Sequence, residues 1–173
     1  MISVFKPFIP NKAEQALVSC LHSGWLGYGS KCHALEQRFR EAHGGWALAT
    51  ASCTSALYLA ALLCRTGSHN EVILPAMTFI STTMPFLHAG YQVILADVDP
   101  QTLLLTAQEV EAKITPHTRL VINVDLYGQH NDLKKIRQLC DTYRVTLLQD
   151  CAHRLTLLDA KPPLADLTCY SFN

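Results

Sequence analysis

Arg119-Leu120-Val121-Ile122-Asn123-Val124-Asp125-Leu126 and Val145-Thr146-Leu147-Leu148-Gln149 are two short apolar runs, and the helical stretch between them decides the fold. In that stretch, Asp132 to Tyr143, Leu133, Ile136, Leu139 and Tyr143 recur at helical spacing on one face. Neither run alternates cleanly between apolar and polar, which is the pattern of strands covered on both faces. Two such strands joined by a helix are expected to lie parallel in one sheet.

The same alternation extends in both directions. Upstream, Trp46 to Thr50, Glu71 to Leu74 (ended by Pro75) and Tyr91 to Val98 read as strands. Thr54 to Arg65, apolar nearly all round, Thr78 to His88, with Pro85 inside it, and Ala107 to Ile114 read as helices. Nearer the start, Asn11 can cap a helix from Lys12 whose stripe of Ala13, Ala16, Leu17 and Leu21 ends at Ser23-Gly24. Trp25 to Gly29 is a glycine-punctuated loop, and Ser30 opens a second amphipathic helix through Leu35 and Phe39. Downstream, a turn-rich segment with Pro162-Pro163 leads to a last strand, Leu167 to Ser171. The expected fold class is α/β, a mostly parallel sheet sandwiched by helices.

At 173 residues the chain is long enough for one domain with a sizeable core. Hydrophobic residues make up 49%, charged residues 16%, and mean hydropathy is +0.14, which excludes disorder and leaves apolar surface for a partner. Lys+Arg and Asp+Glu are both 14, so nothing suggests nucleic acid. The seven cysteines form no C-x-x-C pair and are odd in number, which fits free thiols in a reducing compartment. The start of the chain lacks an apolar signal core, and no run reaches membrane-spanning length. A cytoplasmic protein is expected.

In open parallel sheets ligands bind where strands end and loops enter helices. Three features fall at such ends. Ser52-Cys53-Thr54-Ser55 opens a helix, so Thr54 and Ser55 belong either to an anion site or to a plain helix cap. Asp150, at the end of a buried strand, needs a cationic or donating partner such as a protonated pyridine nitrogen, or else caps the turn at Cys151-Ala152-His153. Phe79 can stack on a planar ring or pack in the core. His153 alone reads as a packed histidine. His117, His130 and His153 sit in separate elements, so no metal is expected. No G-x-G-x-x-G, P-loop or G-x-S-x-G occurs.

Taken in order, these segments resemble the DegT/DnrJ/EryC1/StrS family of nucleotide-sugar aminotransferases. The strongest stretches are Glu71 to Phe79 and Ala96-Asp97-Val98-Asp99-Pro100, joined by Ile114-Thr115-Pro116, Leu126-Tyr127-Gly128-Gln129 and Gln149 to His153. The resemblance implies an aspartate-aminotransferase-like large domain of PLP fold type I, with pyridoxal 5'-phosphate as cofactor. It implies that Thr54, Ser55 and Ser171 hold the cofactor phosphate, that Phe79 stacks on the ring, and that Asp150 pairs with the ring nitrogen. His153 would lie near the ring's oxygen side, and Tyr28 in its glycine loop near substrate. Glutamate would donate the amine to a nucleotide-linked keto sugar, for an amino sugar of a surface polysaccharide such as lipopolysaccharide, in a homodimer or in association with a missing carboxyl-terminal half.

The family's covalent lysine would fall just beyond Asn173. Lys6, Lys12, Lys31, Lys113, Lys134 and Lys135 lie elsewhere, and Lys161 is only an outside candidate. On this reading residues 1–173 are part of the cofactor-binding domain, without the small carboxyl-terminal domain, and are inactive alone. The alternatives are a non-catalytic truncated or split-gene remnant that keeps the cofactor core, or a PLP-dependent sugar dehydratase relative. The chain departs from the family's pattern at Gln149 (usually acidic), Asp125 (often His), Arg154-Leu155-Thr156 and Lys161 to Asp166 (usually with glycines). Such departures are expected of a drifting sequence.

Overall fold

The computed structural model describes residues 8–67, 70–155 and 163–172. Five strands, β1 (Glu71–Pro75), β2 (Gln92–Ala96), β3 (Thr118–Val124), β4 (Thr146–Cys151) and β5 (Leu167–Tyr170), form one sheet in the order β2-β1-β3-β4-β5. Every pairing between neighbours is parallel. The helices are α1 (Asn11–His22), α2 (Ser30–His43), α3 (Cys53–Cys64), α4 (Met84–His88), α5 (Ala107–Lys113) and α6 (Leu133–Tyr143). Lys161 and Thr156 lie outside the described residues.

Strand alternation sorts the core into two layers. Val72, Leu74, Leu120, Ile122, Val124 and Leu148 face α3 and α4, packing on Leu57, Ala60, Ala61 and Phe86. Their neighbours Ile73, Val121 and Leu147 face the other way, onto Val110 of α5 and Ile136 and Cys140 of α6. A strand residue points to the face opposite its neighbour's, so continuous apolar runs bury both faces. α6 ends with Arg144 in the left-handed region (φ 56°), where its N–H meets the carbonyls of Asp141 and Cys140.

Three local expectations are corrected. Residues 46–50 make no strand ladder: Trp46 is 94% exposed, and the Ala49 N–H is taken by the Glu36 carboxylate at 2.8 Å. The apolar letters there line the surface. The helix expected over Thr78 to His88 is broken into a 3-10 turn (Ile80–Thr82) and α4, because Pro85 lacks an N–H and tolerates only a first-turn position. α1 begins at Asn11 itself after Pro10, without a side-chain cap, and buries none of its residues. Among the described residues, no helix is long and apolar enough to cross a membrane.

Candidate cofactor site at the strand ends

Parallel pairing brings the ends of β1, β3, β4 and β5 to one edge, where most candidate residues lie. Asp150 is paired in register with Val124 on one side and Cys169 on the other. It is 3% exposed. Burial raises its carboxyl above the ordinary range, against the opposing pull of hydrogen bonds from Thr82 and the Ala152 N–H. Thr82 Oγ1 donates to Oδ2 at 2.9 Å, and the Ala152 N–H donates to Oδ1 at 3.0 Å. One oxygen of Asp150 therefore caps the turn, and the buried carboxylate has no cationic hydrogen-bond partner among the described residues.

The start of α3 lies near enough to feel the charge of this carboxylate. Cys53 is pushed up to about 12 by burial first and by the charge of Asp150 second. Ser52 caps the helix, its Oγ accepting from the Ser55 N–H at 3.1 Å and lying 3.0 Å from Ser55 Oγ. The first-turn N–H groups of a helix have no intrahelical acceptor, so the cap leaves an anion-favouring end beside Thr54 and Ser55. Both residues also line an open groove of about 600 Å³ with Tyr58, Met84 and His88, which does not include Asp150, Phe79, His153 or Ser171.

Phe79 precedes the 3-10 turn that carries Thr82, and its ring is 68% exposed at the edge, not in the core. Ser171 follows directly on β5, half-buried, at the end next to Cys151. His153 lies two residues past β4. Its Nδ1 accepts from the Tyr127 N–H at 3.1 Å, and its ring stacks on that of Tyr127 at 5.9 Å. Tyr28 is engaged with α2. Its hydroxyl donates to the Glu36 carboxylate, 2.7 and 2.8 Å from the two oxygens, and Glu36 is 4% exposed. Tyr28 is thus a strut tying the glycine loop to α2.

Two features of this edge have little local mark in the sequence. The first is Thr82, whose spacing of four from Thr78 is its visible sign. The second is a buried network on the reverse face of the same edge. Asp125, 0% exposed, accepts from Asn123 Nδ2 (3.1 Å), Gln149 Nε2 (3.0 Å) and Arg154 Nη1 (3.2 Å). Two of the residues that depart from the family pattern, Gln149 and Arg154, therefore both touch a third, Asp125. His130 joins them, its Nδ1 2.9 Å from Arg154 Nη1, so residues from separate elements do converge here. Among the described residues, no group of three His, Cys, Asp or Glu could hold a metal.

This edge thus carries a buried carboxylate at Asp150 and the anion-favouring start of α3. The DegT/DnrJ/EryC1/StrS aminotransferase family matches residues 7–173. The chain superposes on the aminotransferase TlmJ from Streptoalloteichus hindustanus with a TM-score of 0.90 at 31% identity, covering 100% of this chain and 49% of that one. On 3-amino-5-hydroxybenzoic acid synthase the values are 0.84, 31%, 96% and 45%. On Spr1654 from Streptococcus pneumoniae, assigned as a sugar aminotransferase and solved in its PLP-form, they are 0.82, 26%, 96% and 47%. The chain spans about half the length of the structures it matches. A five-stranded parallel sheet, a buried aspartate at the end of β4 and a family match over nearly the whole chain lead to one conclusion: this chain belongs to the DegT/DnrJ/EryC1/StrS aminotransferase family.

Proposed function

We propose that these residues form the cofactor-binding half of a PLP-dependent aminotransferase that transfers an amino group from glutamate to a nucleotide-linked keto sugar. The observation that carries the reading is Asp150, a carboxylate buried at the strand edge and held by two donors. The residues fit pyridoxal 5'-phosphate: a buried carboxylate calls for a cation such as a pyridinium N–H, and the start of α3 favours a phosphate. When bound, that cofactor supplies an electron-accepting ring. Asp150 would hold the ring nitrogen's proton, Phe79 would cover one ring face, and Thr54, Ser55 and Ser171 would bind the phosphate. His153 would meet the ring's oxygen side.

The surface supports assembly as a homodimer: Leu17 and Leu21 on α1 and Leu59, Leu62 and Leu63 on α3 are exposed apolar side chains. Seven free thiols support a reducing, cytoplasmic setting. Among the described residues, the lysines Lys12, Lys31, Lys113, Lys134 and Lys135 sit on α1, α2, α5 and α6, and none is on β4, β5 or the turns that follow them. With the family's covalent lysine expected beyond Asn173, the 173 residues alone are expected to bind cofactor without turnover.

Equilibrium dialysis of the chain against pyridoxal 5'-phosphate tests the reading. Saturable binding that Asp150→Asn weakens would support it. Binding unaffected by that substitution, or no binding at all, would refute it. Glutamate-dependent conversion of the cofactor to its amine form by this chain alone would refute the expected lack of turnover.

A further inference from the structure

We propose that Asp125 and Arg154 are positioning residues, which clasp the turn after β4 so that Tyr127 holds His153 as an Nε2–H hydrogen-bond donor. The argument starts from what each group can do. A backbone N–H only donates, so the contact from the Tyr127 N–H at 3.1 Å requires a lone pair on His153 Nδ1. In the neutral ring the proton is then on Nε2. Tyr127 can aim its N–H there because it sits in the left-handed region, φ 54° and ψ 29°, and its side chain stacks on the imidazole at an interplanar angle of 17°.

The next residue makes the second tie. Arg154 Nη1 donates to Asp125 Oδ2 at 3.2 Å. Consecutive residues of one turn, 153 and 154, thus grip residues 127 and 125 of the segment that follows β3. The anchor is rigid, since Asp125 is 0% exposed and also held by Asn123 and Gln149. Its own N–H donates to the Asp150 carbonyl at 3.0 Å, which fixes the clasp relative to the proposed cofactor carboxylate. Arg154 also lies 2.9 Å from His130 Nδ1, and because a guanidinium only donates, that nitrogen too carries a lone pair.

The consequence rests on the function proposed above. With a cofactor over Asp150, His153 would offer Nε2–H to an anionic ring oxygen and would not accept a proton from it.

The test uses the isotope-labelled chain without cofactor, so it is independent of whether cofactor binds. Free imidazole already favours Nε2–H. The deciding signal is therefore the through-hydrogen-bond coupling between the Tyr127 amide nitrogen and His153 Nδ1. The wild type is expected to show it, Arg154→Gln to lose it, and Arg154→Lys to recover part of it. Asp125→Asn, nearly the same shape, reads the contact from the other side should Arg154→Gln fail to fold, and is expected to weaken the coupling. A wild type without the coupling, or Arg154→Gln or Asp125→Asn variants that keep it undiminished, would overturn the proposal. Retained coupling in a chain that binds no cofactor would leave the clasp standing and remove only the functional reading.

Discussion

Thr82 donates its hydroxyl proton to Asp150 Oδ2 at 2.9 Å, joining the turn after β1 to the end of β4. With that proton committed, the 2.8 Å contact between the Thr78 and Thr82 hydroxyls runs from Thr78 as donor. The resulting chain, Thr78 to Thr82 to Asp150, orients a carboxylate that is almost wholly buried. It also places Phe79, between the two threonines' turns, at the same edge.

Thr82→Val keeps the shape of the side chain and removes the donor. A buried acceptor left unmet costs about 1–3 kcal/mol of stability. The Asp150 carboxyl is expected to rise further, since the Thr82 hydrogen bond now lowers it. Urea denaturation and a carbon-13 carboxyl titration check both, and an unmoved titration would count against the hydrogen bond.

Asp150→Asn is expected to separate stability from binding. Burial raises the folded-state carboxyl, so the ionised group opposes folding at neutral pH, and the opposition fades as acid protonates it. The variant should therefore be the more stable form at neutral pH, with the difference shrinking as pH falls. Cofactor affinity should drop about 10- to 100-fold, the value of one charged hydrogen bond. Stability curves at several pH values decide the first part, and dialysis the second.

Gln149→Glu would place a second carboxylate where Gln149 Nε2 now donates to Asp125 at 3.0 Å. Two buried like charges at that distance should destabilise the fold on the order of 3 kcal/mol, because the relief from Arg154 is already shared. Adding Asp125→Asn should restore most of the loss. A double-mutant cycle by chemical denaturation measures the coupling, and additive effects would contradict it.

Glu36→Gln should loosen the strap at residues 46–50. The Ala49 N–H, then the Tyr28 hydroxyl, hold the Glu36 carboxyl below its ordinary range. A lowered carboxyl stabilises the fold above its unfolded value and loses that effect as pH falls through the folded one. The variant is expected to be the less stable form at neutral pH and to converge with the wild type in acid. Thermal melts across pH follow this, together with the Tyr28 hydroxyl, now raised chiefly by its Glu36 hydrogen bond, which should fall.

The parallel sheet, its strands from β1 to β5 and the place of Asp150 at the end of β4 are readable in the sequence, whereas the segment at 46–50 and the break at Pro85 are not. Periodicity and burial leave a local signature: Leu133, Ile136 and Leu139 mark a helix face, and Val121-Ile122 and Leu147-Leu148 mark strands buried on both sides. Residues 46–50 misled because an apolar run looks alike whether it enters a sheet or crosses the surface. Only the neighbours decide, and here Glu36 takes the amide that a strand partner would have needed. The partner of Asp150 was equally out of reach, since Thr82 lies 68 residues away in sequence and meets it only because β1 and β4 end at one edge. Asp125, Gln149 and Arg154 read as three unrelated departures in one dimension. Folding makes them a single hydrogen-bonded unit, because contacts between residues distant in sequence are set by how the layers pack, not by local order.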